Sequence, residues 1–562
     1  QISVRRDPLA NRDFPMTPAP KLTVAQEAAW EQIRNSIRHS SAKKTPSNFL
    51  LHGVTGSGKT EIYLQALEQT IALGKKGIVL VPEISLTPQT VARFASRFPG
   101  RVAVMHSKLS PGEQFDEWHR IREGEFDVVI GSRSAVFAPQ PDLGLIVIDE
   151  EHEWTYKQHD RAPLYHARAV ALKLADHTGA TVILGTATPD IESYRRAQQG
   201  EYRLLELPER VGETHRGKYP ILPKVETVDL RQELKSGNRS IFSRKLARGI
   251  TNALAAGEQI ILFLNRRGAA SFVQCRDCGN VIRCRRCEMT LTHHTHANSL
   301  ICHLCNYRIP PPTSCPECWS RRIKFLGIGT QKVEEETAKA FPKARILRWD
   351  RDVTKGKHSH EKILEKFQSH QADILIGTQM IAKGLDIPLV TLVGVINADI
   401  GLYLPDFRAG EKTFQLLAQV TGRAGRGIRG GQAIIQTYAP EHYAIIAAAR
   451  QNYAFFYEQE IALRHQYGYP PFTRLISMVY SHTNNERCEK EAARMVQTLR
   501  EERDSQGLAD STIIGPSPAY VQRVRGKYRW QVIVKSPDPI AILSEVSIPR
   551  GWTVDIDPAG LT

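Results

Sequence analysis

The chain has 562 residues, with 75 Lys and Arg against 59 Asp and Glu, a formal net charge of +16 and a pI of about 9.4. That length suits roughly three to five domains. The basic balance suits a polyanionic partner, nucleic acid before an anionic membrane. No apolar run approaches the roughly 18–20 residues of a membrane helix. The first residues hold no hydrophobic signal core, and eight of the nine cysteines sit in C-x-x-C pairs. The expectation is metal ligation in a reducing cytoplasm rather than disulfides.

Residues 1–20 carry Pro8, Pro15, Pro18 and Pro20 with little apolar content, and read as a linker or strap. Residues 22–37 have the period of an amphipathic helix, with Gln26 near its start. Residues 48–52 form a short apolar run. Gly53-Val54-Thr55-Gly56-Ser57-Gly58-Lys59-Thr60 follows, and helical periodicity resumes over 61–67. Strand, G-x-x-x-x-G-K-T and helix are the parts of a phosphate loop for a nucleoside triphosphate. Its backbone N–H groups turn inward around phosphate oxygens and the helix N-terminus favours negative charge. Lys59 reaches the β- and γ-phosphates, and Thr60 can hold Mg²⁺.

Apolar runs recur at 77–82, 102–106, 127–131, 145–149 and 181–185, with helical stretches between them. That alternation indicates a parallel sheet whose C-terminal strand ends carry the ligand-binding motifs. Asp149-Glu150-Glu151-His152 closes one run: Asp149 suits holding Mg²⁺ and Glu150 suits polarising the attacking water. Gly185-Thr186-Ala187-Thr188-Pro189 closes the next, with hydroxyls placed to bond to the acidic site and to a neighbouring lobe. Trp154, Tyr156, Lys157 and Arg161 interleave aromatic and basic residues, as a base-stacking loop does; a core aromatic in a charged turn reads equally well.

Residues 210–240 are charged and read as an irregular connection. A second set of apolar strands lies at 259–264, 344–347, 372–377, 390–396 and 432–436, interrupted by the cysteine stretch 275–318, whose own core must be small. Cys275/Cys278, Cys284/Cys287, Cys302/Cys305 and Cys315/Cys318 supply eight thiolates, enough for two tetrahedral zinc ions. Five residues separate Cys278 from Cys284 and fourteen separate Cys287 from Cys302. That favours a nested arrangement, the two inner pairs on one ion and the two outer pairs on the other. His293, His294 and His296 then read as solvated loop histidines, and Cys488 as a buried apolar residue. Arg423 and Arg426, three apart in QVTGRAGRG, suit reaching a γ-phosphate bound by another lobe. Beyond about 440 a helical stretch leads to mixed strands, including 531–534, with a basic, aromatic segment at 522–530 that suits nucleic acid or an acidic peptide.

The ordered blocks GVTGSGKTE, VPEISLTPQT, GSRSAVFAP, DEEH, GTATP, FLNRRG with eight cysteines directly after it, GTQMIAKGLDIP and QVTGRAGRG resemble superfamily 2 helicases. More closely, they resemble the bacterial primosomal, or PriA, family of replication-restart DNA helicases, from about residue 20 to the end. The resemblance implies an α/β fold: two RecA-like P-loop lobes, a cysteine-rich two-zinc insertion in the second lobe and a C-terminal α+β domain. The expected divisions are a linker at 1–20, lobe 1 at 21–210, a connection and the start of lobe 2 at 211–271, the zinc insertion at 272–325, the rest of lobe 2 at 326–440 and the C-terminal domain at 441–562. It implies ATP, Mg²⁺ and two zinc ions as cofactors, and 3′-to-5′ unwinding of forked DNA at stalled or repaired forks. Single-strand DNA-binding protein and other primosome proteins are the implied partners, in the bacterial cytoplasm at the nucleoid and away from membranes. Gln26 matches the position that reads adenine, and 153–163 the aromatic-rich loop that couples DNA to ATP hydrolysis. Lys527 and Gln531 match positions that grip the C-terminal tail of single-strand DNA-binding protein. Family members usually place a 3′-end-binding domain and a winged helix before the lobes. This chain starts in the strap that would follow them, so recognition of a leading-strand 3′ end is not expected of it. A double-strand DNA translocase and a zinc-built scaffold using ATP as a switch share these motifs, but a scaffold has no need of Glu150 and the paired arginines.

Overall fold

In the computed structural model the described residues are 6–9, 14–43, 46–83, 86–211, 222–265, 271–287, 289–294, 298–326, 329–350, 359–381, 389–425 and 430–561. The chain divides into two compact units, essentially Gln1–Leu222 and Pro223–Ala382 with Ile387–Thr562.

The first unit is built on β1 (Ser47–Gly53), β2 (Lys76–Leu80), β3 (Val102–Met105), β4 (Val128–Gly131), β5 (Leu143–Asp149), β6 (Thr181–Thr186) and β7 (Arg203–Leu207). They pair in parallel in the order β3-β4-β2-β5-β6-β1-β7. Helices cover both faces of such a sheet, so its central strands are buried on both sides and appear in the sequence as unbroken apolar runs. Helices α1 (Val24–Lys43) and α2 (Lys59–Ala72) pack Ile33, Ile37, Tyr63 and Leu67 against Phe49, Leu51, Val147 and Ile183 of the sheet. The helix Pro111–Arg122 opens with a reciprocal capping box between Ser110 and Glu113.

The second unit has the other RecA-like sheet, of β8 (Lys224–Asp229), β9 (Gln259–Phe263) and four later strands. Between these lie β10 (Ser271–Cys275), β11 (Thr292–His294), β12 (Ser299–Ile301), β13 (Arg308–Ile309) and β14 (Ile323–Leu326), an antiparallel sheet in the order β13-β12-β11-β10-β14. The lobe resumes with β15 (Ile346–Trp349), β16 (Ile374–Gly377), β17 (Val390–Val395) and β18 (Gln432–Thr437), giving the parallel order β15-β16-β9-β17-β18-β8. The connection expected at 210–240 is therefore partly wrong. Residues 224–229 form the edge strand of this sheet, and Leu230–Lys235 a short helix. The strand reads Lys-Val-Glu-Thr-Val-Asp and is nowhere fully buried, so it lacks the apolar run of a central strand.

Two helices, Tyr443–Arg450 and Tyr453–Gln466, follow, and the ring of Phe456 stacks on Phe414 of the helix Ala409–Thr421 at 4.2 Å. The C-terminal sheet contains β19 (Arg474–His482), β20 (Thr512–Val524), β21 (Lys527–Ser536) and β22 (Trp552–Ile556), antiparallel in the order β20-β21-β19-β22 and covered by the helix Asn485–Ser505. Cys488 lies in that core, as expected. The cysteine insertion does not keep a core to itself: Val273, Leu291, Leu300 and Leu304 share one with Leu475, Ile533 and Leu561 of the C-terminal region.

Candidate nucleotide site and paired cysteine clusters

The phosphate loop joins the end of β1 to the start of α2. Gly58 caps α2 at φ 77°, and a β-carbon there would strike the Gln26 amide, so the turn requires glycine. Gln26, 3% exposed, donates from Nε2 to Ser57 O at 3.1 Å, while its Oε1 accepts Thr23 N at 2.9 Å. Lys59 Nζ donates to Gly53 O at 2.8 Å and Ser57 N to Val54 O at 3.0 Å. Gln26 and the segment from Gly53 through Val54, Thr55, Gly56, Ser57 and Gly58 to Thr60 thus form one cradle. Beside it, His52 is held down to about 4, by burial first and then by the charge of Lys59.

Asp149 stands at the end of β5, and its carboxylate Oδ1 accepts the Tyr63 hydroxyl at 2.9 Å. Burial, then the adjacent Glu150 charge, push its carboxyl up to about 6, against the opposing pull of Lys59 and the Tyr63 hydrogen bond. Gly185 on β6 leaves room for the Tyr63 ring; a β-carbon there would overlap its hydroxyl. Tyr156 is buried, and its hydroxyl donates to Asp149 O at 2.7 Å. Of the aromatic–basic stretch, Tyr156 and Lys157 are therefore interior, whereas Trp154 is half-buried against His159 and Arg161 is exposed.

Glu150 occupies the left-handed region at φ 49°, a strained backbone for a side chain of its kind. Its Oε2 lies 3.7 Å from His152 Nδ1. Thr186 Oγ1 accepts Thr188 N at 3.0 Å and hydrogen-bonds His152 Nδ1 at 2.6 Å, so the GTATP turn touches the acidic motif as expected. Glu151 is tied down: it accepts Arg168 Nη1 at 2.6 Å, Ser193 Oγ at 2.8 Å and Asp190 N at 2.8 Å. Tyr63 and Arg168 were not singled out in the sequence. Tyr63 falls on the apolar face of α2, one turn after Lys59, where periodicity marks it only as core.

The eight cysteines gather as expected, Cys275, Cys278, Cys315 and Cys318 in one cluster and Cys284, Cys287, Cys302 and Cys305 in the other, with the sulfurs of each within 4.8 Å. Cys275–Cys318 and Cys278–Cys315 stand at 3.6 Å, Cys284–Cys305 at 3.5 Å and Cys287–Cys302 at 3.4 Å. Four thiolates at the ~2.3 Å of a zinc–sulfur bond stand about 3.8 Å apart, so both clusters fit a tetrahedral ion. The histidine expectation needs correction. His293 and His294 lie half-buried on β11, and His294 Nε2 is 3.1 Å from Nε2 of buried His303; His296 lies outside the described residues. Gln531 is also buried: its amide donates to His303 O, which accepts Ser517 Oγ at 2.7 Å as well, while His303 Nδ1 donates to Pro518 O at 2.9 Å. Gln531 thus ties the inner cysteine cluster to the C-terminal sheet, whereas Lys527 is exposed.

Arg423 belongs to the second unit, just past the helix Ala409–Thr421, nearly buried, with its N donating to Val420 O at 3.0 Å. Arg426 lies outside the described residues.

Family models match three stretches: DEAD/DEAH box helicase over 23–197, helicase conserved C-terminal domain over 324–427, and primosomal protein N C-terminal domain over 465–559. The replication restart protein PriA of Bacillus subtilis is 50% identical over 532 residues, covering 95% of this chain and 64% of the relative. That of Synechocystis is 44% identical, covering 96% and 64%. That of Treponema pallidum is 40% identical, covering 94% and 79%. The chain thus spans just under two thirds of the first two relatives. Among solved structures, RecG bound to a three-way DNA junction aligns at a TM-score of 0.44 and 18% identity, over 80% of this chain and 47% of that one.

Proposed function

Since this chain belongs to the PriA family of replication restart proteins, we propose that it is an ATP-dependent DNA helicase that moves 3′ to 5′ along one strand. In this reading it opens stalled or repaired forks and begins primosome assembly there. The observation that carries it is the joining of Lys59, Asp149 and the loop Trp154–Tyr156 in one unit, with the loop bonded to the carbonyl of Asp149. A nucleotide site linked by one hydrogen bond to an aromatic loop is what strand-dependent hydrolysis needs.

Lys59 turns from Gly53 O to the β- and γ-phosphates. Thr60 and Asp149 would hold the metal, which would supply positive charge against the phosphoryl group. Glu150 orients the attacking water. Gln26, already bonded to the loop, reads adenine. Arg423 and Arg426 come from the second lobe to stabilise the developing charge. Closure and release step the two lobes along the strand. The partners are forked DNA, single-strand DNA-binding protein and other primosome proteins; Lys527 and Gln531 are the pair proposed for an acidic tail, Lys527 the more exposed of the two. No helix among the described residues is long and apolar enough to cross a membrane, and the proposed setting is the bacterial cytoplasm at the nucleoid.

Partial duplexes with a 3′ or a 5′ single-stranded tail test the polarity. Strand separation should be faster from the 3′ tail, and a preference for the 5′ tail would overturn the direction. The two cysteine clusters are proposed to hold structural zinc. Elemental analysis of the folded chain should find two zinc ions, and folded protein without metal would refute that assignment.

A further inference from the structure

The two cysteine clusters are alike in ligands and unlike in surroundings. Cys284 and Cys302 of the inner cluster lie in the core shared with the C-terminal sheet, and Cys287 and Cys305 pack against it. The second knuckle of the outer cluster stands at the surface. Pro316, Glu317, Cys318 and Trp319 are all exposed, and Cys318 is the one exposed ligand of the eight. Glu317 on one side and Arg321 and Arg322 on the other give this knuckle no single charge, so exposure is what sets it apart.

The backbone differs as well. Gly279, Asn306 and Trp319 each follow the second cysteine of a knuckle, and each donates its N to the carbonyl of the first, at 2.9–3.0 Å. All three are left-handed, at φ 81°, 57° and 58°. Glycine and asparagine adopt that turn readily. A tryptophan in it is strained, and Trp319 is 77% exposed. The strain persists while the four thiolates share an ion and is relieved when they part. The first knuckle of the same cluster is fastened down. Arg231 Nη1 donates to Cys278 O at 3.2 Å and is itself bonded to Asp229 at the end of β8. Gln274 Nε2 donates to Asp399 Oδ1 at 3.4 Å, and Asp399 accepts Tyr438 N at 2.9 Å. The outer cluster can therefore open at its second knuckle without the insertion coming apart.

We propose that the outer cluster is an oxidant-sensitive site: a small peroxide oxidises Cys318, Cys275 closes a disulfide onto it, and the outer ion is released while the inner cluster keeps its own. The inference rests on the zinc reading. A metal-bound cysteine is held as the thiolate, the form that attacks a peroxide. The Cys318 sulfur attacks one peroxide oxygen, the O–O bond breaks, and hydroxide leaves as the sulfenic acid forms. The Cys275 sulfur, 3.6 Å away, then displaces the second hydroxide as the S–S bond forms. Two thiolates lose two electrons, one peroxide gains them, and two protons from solvent complete two waters. Cys278 and Cys315 alone are too few to hold the ion. A dithiol reverses the exchange.

Hydrogen peroxide added in steps to the zinc-loaded chain, beside a dye that reports free zinc but is too weak to strip the unoxidised chain, tests this. One of the two ions should be released first. Peptide mapping at that stage should find Cys275 joined to Cys318 and the inner four cysteines unmodified, with circular dichroism unchanged. Dithiothreitol and zinc should restore the lost ion. Trp319→Gly should slow the first release by about tenfold, the order of the left-handed strain it relieves. A folded chain that carries no zinc before peroxide is added would overturn the zinc reading itself. With two ions bound at the start, the inference falls if both leave together, if the first disulfide forms within the inner cluster, or if Trp319→Gly releases its ion as fast as wild type.

Discussion

Lys59→Ala should lower DNA-stimulated ATP hydrolysis by about 10²- to 10³-fold, the typical cost of deleting one preorganised donor to a developing charge, and should abolish strand separation. The expectation follows from the position of the ammonium. It lies in the cradle of Gly53 to Thr60, bonded to Gly53 O, at the foot of α2. Alanine keeps the helix start and its propensity but leaves no cation to follow charge onto the transferred phosphoryl group. Folding should be little changed, so unfolding temperature is the control. Full DNA-stimulated hydrolysis in Lys59→Ala would remove the phosphate-loop assignment altogether.

The second large effect lies in the core of the other unit. Arg464→Ala should destabilise it by about 3–5 kcal/mol, the usual cost of breaking a buried ion pair by removing one partner. Arg464 donates to Glu411 Oε2 at 2.7 Å, to Glu460 Oε1 at 2.8 Å and to Pro470 O at 3.2 Å, with all three side chains of the ion cluster almost wholly buried. Its guanidinium is held well above the ordinary range, because the attraction of Glu411 and then Glu460 outweighs burial. Removing it leaves two buried carboxylates with weaker partners: the Tyr443 hydroxyl on Glu460 at 2.7 Å, and the Gln415 amide at 3.5 Å and the Arg408 guanidinium at 3.6 Å on Glu411. Glu411 sits in the first turn of the helix that runs into Arg423, so turnover should fall with stability. Replacing all three by apolar residues of similar size should come out near neutral. Chemical denaturation of the three forms checks the pattern, and an Arg464→Ala midpoint equal to wild type would contradict it.

What could be read from the sequence depended on whether a residue's neighbours lay nearby in the chain. The strands from β1 to β6 were plain because burial on both faces leaves unbroken apolar runs, and the phosphate loop because its geometry is local. The nested cysteine pairing was readable because a five-residue link and a fourteen-residue link cannot serve equally well. β8 was hidden by its place at a sheet edge, where a mostly polar, half-exposed stretch suffices. The partners of Tyr63, Arg168 and Gln531 come from strands and loops far away in sequence, so periodicity marks these residues as core or surface without saying what they hold. His303 reaches Pro518 O because the insertion shares its core with the C-terminal sheet, and no spacing rule foretells that.

The central claim is that ATP hydrolysis in this chain drives the separation of DNA strands. A labelled fork incubated with the chain, Mg²⁺ and ATP, beside a triplex-displacement substrate, tests it most directly. Release of the labelled single strand that requires hydrolysable ATP and vanishes in Lys59→Ala is the predicted result. Displacement of the third strand with the fork left intact would contradict it and identify a double-strand translocase instead.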